Sequence, residues 1–152
     1  MAKNQTTIAT LIGKKQRPEG ELEAVLQRLH NNMARCFDSV LDAARSCVYS
    51  KILLGGGRGS TKSSAISLII VSELEADEQA CALVLRKVGN TIRGSVYEQI
   101  QWAIDTLGVG EHWEATVSPM EMTNTRTGQK IAFRGLDEPK KIKSVKLKRR
   151  KY

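Results

Sequence analysis

The sequence has no CxxC pair, and its three cysteines, Cys36, Cys47 and Cys81, are odd in number and widely spaced. A closed disulfide framework is therefore excluded, and the three read as reduced, partly buried thiols. Neither His30 nor His112 stands beside a cysteine pair at zinc spacing, which argues against a metal site. No apolar run approaches the ~18 residues of a membrane span. The first 15 residues, MAKNQTTIATLIGKK, lack the apolar stretch of a secretory signal. These absences point to a cytoplasmic protein with no membrane partner. There is no internal repeat.

One further absence is local. Residues 140–152, KKIKSVKLKRRKY, hold eight Lys or Arg and no acid. The net charge of the chain is +8, so the remainder is balanced. The basic character belongs to a tail, not to a face of the domain. Such a tail either binds polyanions or is a solvated end.

What is present suits one soluble domain with a real core. The chain has 152 residues, 41% of them hydrophobic and 26% charged. Residues 1–20 are polar and read as a flexible N-terminus. From Glu21 the apolar residues Leu22, Val25, Leu26, Leu29, Met33, Phe37, Val40, Leu41, Ala44 and Val48 recur at steps of three and four. That spacing predicts one or two amphipathic helices within 21–48.

Residues 49–139 alternate between strand and helix patterns. YSKILL, Tyr49–Leu54, is a strand candidate that runs into a glycine loop. SSAISLIIVSELEA, Ser63–Ala76, predicts a helix. CALVLRKV, Cys81–Val88, predicts a second strand, apolar enough for burial in a parallel sheet. Asn90–Leu107 predicts a helix stopped by Gly108, with Trp102 in its core. Trp113–Met122 and Gln129–Arg134 then predict a hairpin across TNTRTG. The order implies an α/β fold: a partial P-loop NTPase-like parallel sheet with flanking helices and a β-hairpin, preceded by an N-terminal helical segment.

The loop carries the chemistry. Gly56, Gly57, Arg58, Gly59, Ser60, Thr61, Lys62 and Ser63 come one residue short of a phosphate-binding loop, because Thr61 stands where its second glycine belongs. A glycine loop between a strand and a helix gathers backbone N–H groups and a helix N-terminus at one point, and both attract phosphate. Lys62 would reach the β- and γ-phosphates of ATP, and the Ser63 hydroxyl would help hold Mg²⁺. A β-branched residue at Thr61 is costly if φ is positive there. Arg58 reads equally as a cation for the γ-phosphate, hence a catalytic candidate, or as a solvent-facing loop residue. The bland alternative for the whole stretch is a glycine-rich turn with an incidental lysine.

GGRGSTKSS, ALVLRKVGNTIRGSVYEQIQWAIDTLGV and IAFRGLDEPKKIKSVK, in that order, resemble the large subunit of tailed-phage terminases, the PBSX family of DNA-packaging motors. The likeness runs from about Lys51 to Lys146. It implies an ATPase domain that powers translocation of double-stranded DNA into a procapsid. It also implies Lys62 and Ser63 as phosphate and Mg²⁺ ligands, Arg58 as a sensor of the γ-phosphate, and Thr61 as a variant the family accepts. Terminase small subunit, portal protein and a downstream polypeptide completing the ATPase are its implied partners, in the cytoplasm of a bacterial host. Arg86 lies in the family's VLRKV block, as a DNA or nucleotide contact or a plain strand-end arginine.

ATP hydrolysis also needs an acid on a later strand and a carboxylate that activates water. Glu73 and Glu75 are about a dozen residues into a helix that rises ~1.5 Å per residue away from the loop, so they point to the wrong end. Asp137 and Glu138 read as a turn feature. A nuclease half with its carboxylate cluster is also missing. The sequence thus reads as the first part of a packaging ATPase, weak or inactive in hydrolysis alone, with an open sheet edge that leans on a partner. The competing readings are a non-enzymatic DNA-binding or interaction remnant and a small kinase-like enzyme.

Overall fold

A computed structural model describes residues 20–137. The expected flexible N-terminus up to residue 19, Glu138 and the basic tail at 140–152 lie outside the described residues.

Two helices open the fold. Helix α1 spans Glu21–Asn32 and helix α2 spans Asp38–Ser46, joined through a 3-10 turn at Arg35–Phe37. Val25, Leu29, Met33, Phe37 and Leu41 form one continuous buried stripe across both. Met33 and Ala34 are extended, which breaks the predicted helical run into two. Cys36 and Cys47 are exposed and Cys81 is buried, so the expectation of three partly buried thiols is corrected. The buried stripe excludes position 36, and Cys47 closes α2 in the left-handed conformation.

Helix α3, Lys62–Ala76, is the centre of the domain and packs on α1 and on helix α4, Glu98–Leu107. Ala65, Leu68, Ile69, Val71 and Leu74 are buried on it. A helix apolar around most of its circumference belongs inside, and the sequence run SLIIV already has that character. Ahead of α4, the predicted helix from Asn90 is irregular: a 3-10 turn at Gly89–Thr91 and a π-helical turn at Arg93–Tyr97, with Gly94 non-helical. Gly108 ends α4 at φ 68°, as its position predicts. The buried face of α4 is Ile100, Ala103, Ile104 and Leu107. Trp102 falls off that face and is 39% exposed, which corrects its expected place in the core. Trp113 is the buried tryptophan.

Four strands form one sheet: β1 (Ala82–Arg86), β2 (Trp113–Val117), β3 (Met120–Asn124) and β4 (Lys130–Gly135), in the order β1-β4-β3-β2. β1 runs parallel to β4, and the other two pairs are antiparallel. The hairpin across TNTRTG is therefore β3–β4. The predicted single strand Trp113–Met122 is two strands folded at Ser118–Pro119, where proline has no N–H for the ladder.

The predicted strand Tyr49–Leu54 does not form; residues 47–57 are irregular. A strand needs a neighbour to satisfy its peptide groups, and no strand among the described residues pairs with it. Leu53 is 96% exposed there.

Ala82, Val84, Ile131, Phe133 and Met122 line the face of the sheet that meets the helices. Leu83 and Leu85 alternate to the opposite face and stand outside that core. The expected burial of β1 in a parallel sheet is thus half realised: the parallel pairing is there, but Leu85 is 43% exposed.

Candidate functional site

α3 has two very different ends, and the candidate site is the first of them. Gly56 has φ 146°, Gly59 φ 78°, and Thr61 φ 53° immediately before the helix. Thr61 is in the left-handed region that the sequence flagged as costly for a β-branched residue. No side chain caps the helix behind it, and the leading N–H groups of a helix have no intrahelical acceptor. Loop residues 55–61 are all exposed.

Lys62 folds back over this loop. Its Nζ donates to the Gly57 carbonyl at 2.9 Å and to the Ser60 hydroxyl, and Ser60 Oγ donates to the same carbonyl at 2.8 Å. A Cβ built on Gly56 would stand 3.1 Å from the Lys62 ammonium, so the absent side chain leaves that cation its place. Ser63 is exposed in the first helical turn. Arg58 is exposed at the tip of the loop. The structure thus gathers the eight sequence-picked residues around one uncapped helix end. A loop of this shape, with a cation, a hydroxyl and free N–H groups, suits an oxyanion.

The surrounding topology places the loop. α3 and α4 pack on each other and start at the same end of the domain. Their first turns meet where Gln99 Nε2 donates to Ser64 Oγ at 3.4 Å. That end is the carboxyl end of β1 and β4. A cavity of about 450 Å³ opens at the same edge, lined by Gly89, Asn90, Ile92, Phe133, Arg134 and Asp137 among others. Both Asp137 carboxylate oxygens accept from the Gly89 N–H, at 3.1 and 3.0 Å, tying the turn after β4 to the turn after β1. A side chain at Gly135 would collide with Asp137 and with the Gly89 backbone. This clamp gives Asp137 a structural task, consistent with its reading as a turn feature. Arg86 donates to the Thr91 carbonyl at 3.3 Å and to Ser95 Oγ. It braces the irregular entry to α4.

The other end of α3 is closed. Glu75 is 1% exposed and accepts from Trp113 Nε1 at 2.8 Å, from Asn124 Nδ2 at 3.5 Å and from Arg126 Nη2 at 3.4 Å. Arg126 also donates to Glu21 at 2.9 Å, and Glu73 pairs with Arg45 at 2.8 Å. Gln129 Nε2 reaches the carbonyls of Leu74, Asp77 and Ala80 at 2.8–3.1 Å. Burial works to raise the Glu21 carboxyl, but hydrogen bonds from Arg126 and His112 outweigh it and lower its pKa. Both helix acids are thus engaged far from the loop, as their sequence positions imply. No local pattern in the sequence marks this cluster, whose bonded side-chain partners lie 28 to 105 residues apart.

Comparison with known proteins decides the family. The family model for the phage terminase large subunit matches residues 49–150. The chain belongs to that family. It is 40% identical over 119 residues to the terminase large subunit of Bacillus phage SPP1, an alignment covering 78% of this chain and 28% of that protein. It is 39% identical over 92 residues to the PBSX phage terminase large subunit of Bacillus subtilis, covering 60% of this chain and 21% of that protein. The chain therefore spans between a fifth and three tenths of the terminase subunits it matches. No helix among the described residues is long and apolar enough to cross a membrane.

Proposed function

We propose that this terminase chain holds Mg–ATP on its variant Walker A loop, as the nucleotide-gripping part of a P-loop ATPase that drives double-stranded DNA into a procapsid. The observation that carries the reading is the loop itself. Three glycines and a left-handed Thr61 lead into an uncapped, deeply packed helix, with the Lys62 ammonium resting only on loop oxygens.

The residues present fit the phosphates of ATP. Gly56, Gly57 and Gly59 admit close approach of the backbone. The N–H groups at the start of α3, with Ser60 and Thr61 before them, offer donors to the β-phosphate. Lys62 would turn from Gly57 and Ser60 to the β- and γ-phosphates, and Ser63 Oγ would help hold Mg²⁺. Arg58 neutralises charge at the γ-phosphate. When bound, Mg–ATP supplies the phosphoanhydride bond whose cleavage powers packaging. Terminase small subunit, portal and a downstream polypeptide are the partners in this reading, in the bacterial cytoplasm.

The test is a thermal melt with and without Mg–ATP, run beside Lys62→Ala. Ligand at a hundredfold over its Kd stabilises by about 2.7 kcal/mol. The parent should shift accordingly and the variant should not. Without nucleotide the two should agree within about 0.5 kcal/mol, because Lys62 is only half-buried and bonds to exposed loop atoms. Equal shifts in both proteins, or none in the parent, would overturn the assignment.

A further inference from the structure

α4 does not begin as a regular helix. The π-helical turn at Arg93–Tyr97 leads directly into it. Such a turn carries one residue more than the α-helix that could replace it, and these turns concentrate at functional sites. The Ile92 carbonyl accepts from the Ser95 N–H at 3.2 Å and from the Tyr97 N–H at 3.1 Å, the second across five residues. Gly94 lies between them at φ −78° and ψ 22°, outside helical values. A Cβ built on Gly94 meets nothing within 4 Å among the described residues. Neither crowding nor a positive φ therefore demands glycine here. Its effect is to weaken the helix, since alanine favours helix over glycine by about fivefold per residue.

The segment is held at both ends and slack between them. Downstream, the Tyr97 hydroxyl donates to the Thr116 carbonyl at 3.3 Å, and its ring centroid lies 5.1 Å from that of Phe133. Upstream, Asp137 holds the Gly89 N–H. In the middle, Arg86 pins the Thr91 carbonyl and Ser95 Oγ, and Ser95 Oγ donates to the same carbonyl. Gly89, Asn90 and Ile92 line the cavity of about 450 Å³, so the residues before the turn border open space on one side. The loop end of α3 is in contact with this region. Gln99, just past the turn, donates to Ser64 Oγ at 3.4 Å, and Ser64 follows Ser63 in the first turn of α3.

We propose that residues 90–96 are a two-state entry to α4. One state is the π-turn. The other is a continuous α-helix in which Gly94 takes helical angles and the surplus residue passes into the turn that lines the cavity. Filling the phosphate loop shifts the first turn of α3, and the contact between Ser64 and Gln99 passes that shift to α4. The cavity edge of the sheet thus changes shape when the loop is loaded. The inference rests on the nucleotide reading of the loop and adds a regulatory read-out to it. Linkage makes the effect reciprocal, so a change that favours the helix tightens nucleotide binding.

The experiment compares the parent with Gly94→Ala and Gln99→Ala. Each is melted with and without Mg–ATP, and amide hydrogen exchange is followed in both conditions. In the parent, Mg–ATP should raise the melting temperature and slow exchange at 93–97 by about fivefold more than at 100–107. Gly94→Ala should show slowed exchange at 93–97 without nucleotide and bind Mg–ATP about two- to fivefold tighter, because the helical state no longer has to be drawn from a minor population. Gln99→Ala should keep the melting shift and lose the extra slowing at 93–97. A melting shift in the parent with equal slowing in both segments, or with none, overturns the switch and leaves the nucleotide site standing. Gly94→Ala that exchanges like the parent, or that binds Mg–ATP no tighter, also overturns the switch, as does Gln99→Ala that keeps the extra slowing. No melting shift in the parent overturns the nucleotide site, and the switch falls with its trigger.

Discussion

The two ends of α3 are built on opposite rules. At the carboxyl end, Glu73 and Glu75 are buried and bonded to Arg45 of α2 and Trp113 of β2, and buried Gln129 bonds the Leu74 carbonyl. At the amino end, Lys62 and Ser60 bond only within their own exposed loop, and Thr61 is held at φ 53°. One end spends its polar groups on the fold. The other keeps them within reach of solvent, on a backbone that the rest of the helix holds in place. Local strain persists only where surrounding structure over-determines it, and here the closed end is what anchors the helix against which the open end is braced.

Removing Glu75 should break this contrast most severely. Glu75→Ala leaves Trp113 Nε1 without its carboxylate acceptor and strips Arg126 of one of its two carboxylates. Taking one partner from a buried ion pair costs about 3–5 kcal/mol. Urea denaturation should show that loss, and Glu75→Gln, which keeps an acceptor for Trp113, should lose less. Equal stability of Glu75→Ala and the parent would mean the closed end is not what holds α3.

Much of the open end was legible in the sequence, and little of the closed end was. The loop residues are contiguous, so spacing alone gathers Gly56 to Ser63 and even flags Thr61. α3 and the stop at Gly108 follow from local periodicity and glycine chemistry. Glu75 meets Trp113, Asn124 and Arg126 only through tertiary folding, across 38 to 51 residues. The strand expected at Tyr49–Leu54 failed for a related reason: its composition is right, but a strand is made by its neighbour. Trp102 was misplaced because size suggested the core, whereas the three-and-four spacing of Ile100, Ala103, Ile104 and Leu107 left it outside.

A smaller test of the closed end uses pH. Burial favours a raised pKa for Glu21, and the bonds from Arg126 and His112 overcome it, so the folded pKa is lowered from 4.5. A carboxyl depressed in the folded state contributes stability above its unfolded pKa and loses it as pH falls through the folded value. The parent should therefore lose stability as the pH drops below about 4.5. Glu21→Gln should flatten that part of the profile and be less stable than the parent at neutral pH. Identical acid limbs would show that other carboxyls govern acid unfolding.

The smallest effect belongs to the strained residue. Holding an L-residue in the left-handed region costs about 1–2 kcal/mol, and glycine escapes that cost but loses more freedom on folding. Thr61→Gly should therefore stabilise the chain modestly, by about 0.5–1 kcal/mol in denaturant titrations. It also restores the glycine that the standard loop carries at this position. If the strain at Thr61 serves the loop's shape, the substitution raises the melting temperature while weakening the shift produced by Mg–ATP. If the strain is merely tolerated, stability and nucleotide response rise together. A fall in stability would mean that the threonine makes a contribution large enough to outweigh its φ of 53°, and the contrast between the two ends of α3 would lose its strained member.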